Sequence, residues 1–285
     1  MVYFSLIFQS LISSGTHLVA KVVVRDIEPV GLTMIRSALA AAGLLIIMLI
    51  RRTRSSIARE DYGRILLLSF LAIPANQFLF LTALRHTTAS NASLMYAATP
   101  AVVLVISAVG GKERLTLKKL LGVSIAFGGI LLVVFEHGID LASDYTFGNL
   151  LLVAAVVSWS FYTVKGRPMI LKYGAFQTSA LTMILGTVLY LPVGAVNAIE
   201  FDYSQLTPMH WAGLAYLSLG TSIFAYFLWY YALGRIEASK VAIFTNLQPV
   251  MTTLLAFFLL GQPISLIFII GGAITLAGIV LTQFG

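Results

Sequence analysis

The chain has 285 residues, 59% of them hydrophobic and only 10% charged, with a formal net charge of +7 and no cysteine. A soluble domain carries roughly 25% charged residues, so a water-facing surface cannot be built from this composition and most of the chain must meet lipid or other lipid-embedded helices. The missing cysteines exclude disulfides, cysteine nucleophiles and thiolate metal sites, and four scattered histidines without paired spacing point to no metal and no cofactor.

A membrane span needs about 20 mainly apolar residues, and on that criterion the sequence predicts ten helices in an all-α integral membrane fold. The first, 3–24, lacks a basic lead and a small-residue cleavage site, so it reads as a retained span and not a signal peptide. It carries Ser13, Ser14 and His17. The second, 30–50, holds Arg36 some six residues inside. Charge at that depth costs several kcal/mol unless it is paired or hydrated. Arg36 therefore has two readings: a cavity-lining cation for a carboxylate or phosphate, or a structural arginine on helix-end carbonyls. The third span, 65–84, places Asn76 and Gln77 after Pro74, and the fourth, 89–110, carries Tyr96 and Pro100. The fifth and sixth, 120–135 and 149–165, are short; Trp159 and Tyr162 lie on the sixth. The seventh, 175–195, is followed by the longest loop, 197–210. On the eighth, 211–233, Tyr226 is central, whereas Trp211, Trp229, Tyr230 and Tyr231 read as interfacial aromatics. The ninth, 238–260, contains Asn246, Gln248 and Pro249, and the tenth is 264–283.

The loops orient these spans. With the N-terminus placed inside, 14 basic residues (Arg51, Arg52, Arg54, Arg59, Arg64, Lys112, Arg114, Lys118, Lys119, Lys165, Arg167, Lys172, Arg235 and Lys240) fall on the inner side. Only Lys21, Arg25 and Arg85 fall outside, with acidic Glu136, Asp140, Asp144, Glu200 and Asp202. Short loops keep their positive charge in the cytoplasm, so a cytoplasmic (inner) membrane location with both termini cytoplasmic is expected. Basic residues spread over short loops fit this topology and not a nucleic-acid groove.

The chain also repeats itself. At an offset of 149 residues, Gln77-Phe78-Leu79 meets Tyr226-Phe227-Leu228, Ala89-Ser90 meets Ala238-Ser239, Pro100 meets Pro249, and Gly122 and Gly129 meet Gly271 and Gly278. A weaker match at 144 pairs Ser14 with Ser158 and Lys21 with Lys165. Spans 1–5 and 6–10 are thus copies, with units at 1–137 and 145–285. Five is odd, so the second copy enters the membrane inverted. Lys112, Arg114, Lys118 and Lys119 become Gly261, Pro263, Ile267 and Phe268 in it, as expected of a loop that has changed sides. Inverted repeats are a common plan for carriers.

These features resemble the ten-span drug/metabolite transporter superfamily, and within it the EamA-type exporters of amino acids and metabolites. The residues that carry the likeness are Ser14 to Lys21, Pro29 to Arg36 to Ala40, Ala89-Ser90 to Pro100, Lys112-Glu113-Arg114-Leu115-Thr116 before Gly122, Trp159 to Lys165, Ala238-Ser239 to Pro249, and Gly261-Gln262-Pro263-Ile264. Two features depart from the pattern: Gln262 stands where Glu is usual, and the aromatic residue usual near Ser14 is missing. The resemblance implies a central cavity between the halves, opened alternately to each side.

The expected function is therefore a secondary carrier of small polar metabolites, amino acids first, acting as a monomer or homodimer in the lipid bilayer. Nucleotide-sugars, sugar phosphates or drugs are the alternative cargoes, and a membrane scaffold is a different class. An intramembrane enzyme built on Ser13, Ser14 and His17 lacks an orienting group and an oxyanion donor. The candidate substrate contacts are His17, Arg36, Asn76, Gln77, Tyr96, Trp159, Tyr162, Tyr226, Asn246 and Gln248. Pro100 and Pro249, each freeing a backbone carbonyl at mid-span, read as hinges or as static kinks. Gly122, Gly128, Gly129, Gly271, Gly272 and Gly278 suit close packing of spans 5 and 10 and a dimer face. No carboxylate lies deep in a span, which removes the usual proton or sodium relay.

Overall fold

Inside hydrocarbon every backbone N–H and C=O must find a partner within the chain, and a helix provides one for each. A computed structural model describes residues 1–52, 57–110, 116–135 and 143–283, and the regular structure among them is entirely helical. Ten helical passages follow one another: α1 (Val2–Val23), α2 (Pro29–Ile50), α3 (Arg59–His86), α4 (Ala89–Val109), α5 (Leu117–Val134), α6 (Asp144–Tyr173), α7 (Ala175–Ile199), α8 (Pro208–Leu233), α9 (Ala238–Leu260) and α10 (Leu266–Gln283). Eight meet the length and apolarity of a span outright. α5 and α10 have 18 residues each, about 27 Å of helix, close to the thickness of the hydrocarbon core. The fold is two inverted five-helix repeats. Arg54, Lys112, Glu113, Arg114, Leu115, Glu136 and Asp140, named above, lie outside the described residues.

One span is much longer than expected. α6 runs for 30 residues and takes in Arg167 and Lys172, which lie beyond the span expected at 149–165. Apolarity marks only the lipid-buried part of a helix, and the last turns continue beyond it. It ends where Gly174 adopts a φ of 85°, a conformation that favours glycine. Gly261, at φ 61°, ends α9 in the same left-handed way.

Four passages are interrupted. α3 widens into a π-helix over Leu71–Gln77 around Pro74, which has no N–H to give to the normal ladder. α8 is π-helical over Tyr216–Ala225. α4 breaks at Ala98, just ahead of Pro100, and α9 tightens to a 3₁₀ turn over Ile243–Asn246, just ahead of Pro249. The 149-residue offset carries the first π segment to 220–226 and so onto the second. Helix irregularity is repeated with the sequence.

Packing separates two groups of helices. α5 lies along α10 at one edge. A Cβ on Gly129 would come within 2.5 Å of Gly271 O, one on Gly271 within 2.6 Å of Val133, and one on Gly278 would collide with the Ala126 backbone. Thr275 Oγ1 donates to Gly271 O at 2.7 Å beside them. Gly128 faces open space and Gly272 meets only Leu94, so these two are not part of the seam. The other eight spans form the body, with α1 against α8 and α9, α2 against α7 and α8, and α6 against α3 and α4. Side chains such as Leu49, Ile50, Phe70, Val196, Ile199 and Phe258 cover its outside, as a lipid-facing surface requires. Trp229 and Tyr230 correct the expectation of interfacial aromatics: both are fully buried, Trp229 donating to Thr163 Oγ1 at 3.2 Å and Tyr230 stacked on Tyr162 at 4.9 Å. Their place near a helix end sets their depth, but the neighbouring α6 covers them laterally.

Candidate functional site: a polar cavity between the repeats

The body holds a polar cavity near mid-span, lined from one repeat by α1 to α4 and from the other by α6, α8 and α9. The room open to the centres of water molecules is about 60 Å³. At roughly 10–15 Å³ per water on this measure, it holds about four to six waters. Residues related by the repeat offset face each other across it: Asn76 with Ala225, Gln77 with Tyr226, and Tyr96 with Thr245. The cavity therefore draws equivalent positions from both copies.

Arg36 enters from α2 and is 2% exposed. Its Nε donates to Leu217 O at 3.1 Å and to Ser222 Oγ at 2.9 Å, both in the π segment of α8. The π register explains the first acceptor, since Ser222 Oγ donates to Leu217 O five residues back at 3.0 Å. Nη1 of Arg36 is buried without a partner, and among the described residues no carboxylate pairs with this side chain. The arginine is thus held at Nε and left unsatisfied at its outer end. An unmet buried donor costs about 1–3 kcal/mol or more when charged.

The facing groups are amides, an imidazole and aromatic rings. His17 Nε2 lies 3.1 Å from Gln248 Oε1, which can only accept, and Nδ1 has no partner. The ring packs edge-on to Phe80 and Tyr96 at 5.4 and 5.6 Å. Asn76 Nδ2 donates to Tyr96 OH at 2.6 Å and to Ala155 O at 2.8 Å. Gln77 Nε2 reaches the Met183 sulfur at 3.7 Å beside the Tyr226 hydroxyl, and its buried Oε1 is without a donor. Gln9 donates to Ser13 Oγ at 2.8 Å, and its Oε1 is likewise without a donor. Trp159 meets Tyr226 edge-on at 5.0 Å and forms the aromatic wall. The cavity thus combines one cationic donor lacking an acceptor with two amide oxygens and the His17 Nδ1 lacking donors.

Eight of the residues expected from sequence come together here: His17, Arg36, Asn76, Gln77, Tyr96, Trp159, Tyr226 and Gln248. Tyr162 is not among them; it is stacked between Trp159 and Tyr230, with its OH 3.0 Å from Thr182 Oγ1. Asn246 lies in the 3₁₀ turn of α9 beside the cavity lining and does not contribute to it. Pro100 and Pro249 are buried behind the breaks of α4 and α9. Sequence reading missed Gln9, Ser13, Thr16, Phe80, Thr221, Ala225 and Thr245. Adding 149 to Asn76 and Tyr96 would have found Ala225 and Thr245. Thr16 and Thr221, whose hydroxyls meet at 2.7 Å, carry no such signal. Ser13 accepts from Gln9, Ser14 Oγ donates to Ser10 O, and His17 turns to Gln248, so these three form no nucleophile–base pair.

A ten-span inverted repeat around a membrane-buried polar cavity defines a membrane transporter. The profile of the EamA-like transporter family matches residues 1–135 and again 146–284, and the chain belongs to that family. An uncharacterized transporter of Archaeoglobus fulgidus is 32% identical over 280 residues, covering 95% of this chain and 93% of the relative. The uncharacterized transporter YyaM of Bacillus subtilis is 28% identical over 100% of this chain and 93% of its own length. A probable terminal-alkyne amino-acid exporter of Streptantibioticus cattleyicolor is 26% identical, with coverages of 88% and 82%. One solved crystal structure shares the fold, with a TM-score of 0.69 at 21% identity over 98% of this chain and 95% of that one.

Proposed function

We propose that the chain exports amino acids, or metabolites of the same zwitterionic character, by alternating access of the central cavity to the two membrane faces. One observation carries this reading: the cavity residues present an unmet cationic donor, Arg36 Nη1, together with two unmet amide oxygens, Gln9 Oε1 and Gln77 Oε1. A carboxylate answers the first and an ammonium answers the others, so a zwitterion satisfies both kinds at once. A phosphate ester would satisfy only the arginine, and a cationic drug only the amides. The exporter from Streptantibioticus cattleyicolor supports the same cargo class. The cavity holds only a few waters in this structure, so cargo entry requires the halves to part. Breaks at equivalent places, ahead of Pro100 and Pro249, supply bending points for that motion. We place the protein in the cytoplasmic membrane with both termini inside, on the loop charges. Counterflow into proteoliposomes, screened over the common amino acids, tests the proposal. Saturable exchange of at least one zwitterion is expected. Exchange of sugar phosphates alone, or no saturable flux for any solute, would overturn it.

A further inference from the structure

Acid–base pairs outside the cavity join the repeats at both ends of the molecule: a cluster about Asp61 at the end carrying both termini, and at the other Asp26 with His210, beside a longer contact of His86 Nδ1 to Asp144 Oδ1 at 3.7 Å. At the end carrying both termini, α3 begins and α6 finishes. There Asp61, with a side chain 1% exposed, accepts from Lys172 Nζ at 2.6 Å, from Tyr173 OH at 2.6 Å and from Arg64 Nη1 at 3.1 Å. Lys172 also meets Glu60 at 2.8 Å, and the Ala58 N–H donates to Tyr173 OH at 3.1 Å. At the opposite end, α8 begins and α1 finishes. There His210 Nε2 lies 2.9 Å from Asp26 Oδ2, with its Nδ1 held by the Thr207 N–H at 3.1 Å and hydroxyl at 3.0 Å. His210 stands 149 residues after Asp61, the repeat offset itself. The partner helices, α6 and α1, are also copies of each other. The two contacts thus tie equivalent helix ends by different residues: Asp61 and His210 are repeat equivalents, whereas Asp26 lies two residues before Glu28, the equivalent of Lys172 at the 144 offset.

We infer that Asp61–Lys172 and Asp26–His210 are paired latches that close the two ends of the transport path, and that their unequal strength sets which end opens more readily. This rests on the alternating-access reading above. In each latch the start of a π-interrupted span is tied to the end of the first span of the other repeat. The two tied spans also line the cavity, α3 and α6 in one case and α8 and α1 in the other. Parting the halves at one end must break the latch there and can leave the other intact. Both are closed in this structure. The Asp61 latch is a buried carboxylate with three donors. The Asp26 latch is a single contact to a carboxylate 61% exposed, and exposed pairs contribute little. The resting protein therefore opens more readily at the end opposite the termini.

The test is the sidedness of cavity access. The chain has no native cysteine, so Ser13→Cys on the cavity wall is a lone reporter. An impermeant maleimide is added from either face of oriented vesicles. Asp61→Asn should speed labelling from the terminal-bearing end by about ten-fold or more, the equivalent of one charged hydrogen bond. Asp26→Asn should speed labelling from the other end by a smaller factor. Tyr173→Phe, which removes one donor and keeps the fold, should act in the direction of Asp61→Asn. The exchange Asp61→Lys with Lys172→Asp should recover only part of the unmodified rate, because the new lysine meets Arg64 and the new aspartate meets Glu60, yet even partial recovery is more than a generally loosened protein would show. Unchanged labelling in both Asp61→Asn and Tyr173→Phe, or equal increases from both faces, would overturn the latches whatever the flux. One-sided labelling without saturable flux would sustain the latches and sink the transport reading.

Discussion

Replacing Arg36 by glutamine removes the one cationic donor in the cavity while disturbing its surroundings little. Leu217 O, which accepts from Arg36 Nε, keeps the Ser222 hydroxyl at 3.0 Å, so no acceptor is orphaned. The variant should fold and reach the membrane. What it loses is the unmet Nη1, offered to the carboxylate of the cargo. A hydrogen bond to a charged group contributes about 1.5–3 kcal/mol, which converts to roughly ten- to a hundred-fold in affinity. Arg36→Lys should fall between the two, because the charge remains while the planar fork that grips Ser222 and the cargo together is lost. The assay is binding of the cargo identified by counterflow, followed as ligand-dependent thermal stabilisation in detergent. An Arg36→Gln protein of normal yield that binds its cargo with unchanged affinity would refute the reasoning and leave Arg36 as a structural link between α2 and α8.

Three further outcomes follow from the structure. A cysteine in place of exposed Asp202, at the end opposite the termini, should react with an impermeant thiol reagent in intact cells, and no reaction at normal expression would reverse the assigned orientation. Gly129→Ala should lower thermal stability by about 1–3 kcal/mol, since its Cβ would meet Gly271 O, whereas Gly128→Ala faces open space and should be neutral or stabilising by up to about 1 kcal/mol; equal melting curves for the two variants would dispose of the α5–α10 seam. Counterflow should persist at equal pH on both sides, because among the described residues no carboxylate lines the cavity; flux that vanishes there and returns with an imposed pH gradient would reveal a coupling group outside it.

Much of this protein is legible along one dimension. Hydropathy marks where hydrocarbon must be met, short-loop charge supplies the proposed orientation, and self-similarity at 149 residues marks the two copies. These are local or additive properties, so the ten spans, their inversion and eight of the cavity residues follow from the chain alone. A polar group such as Asn76 or Gln248 at mid-depth must face protein or water, because lipid offers it nothing. Depth alone does not give direction around the helix axis. Trp229 and Tyr230 stand near a helix end and nonetheless pack inward against α6, and Tyr162 is in the aromatic core one layer behind the cavity wall. The sequence also shows that Arg36 needs a partner, but not that the partner is a carbonyl on a span 181 residues away, presented by a π turn. The pairing of Asp61 with Lys172 and of Asp26 with His210 is of the same kind. Which helix lies beside which, and at what rotation, depends on how small residues such as Gly129 and Gly271 let backbones approach and how the wide turns of α3 and α8 redirect their side chains, and those contacts exist only once the spans have assembled.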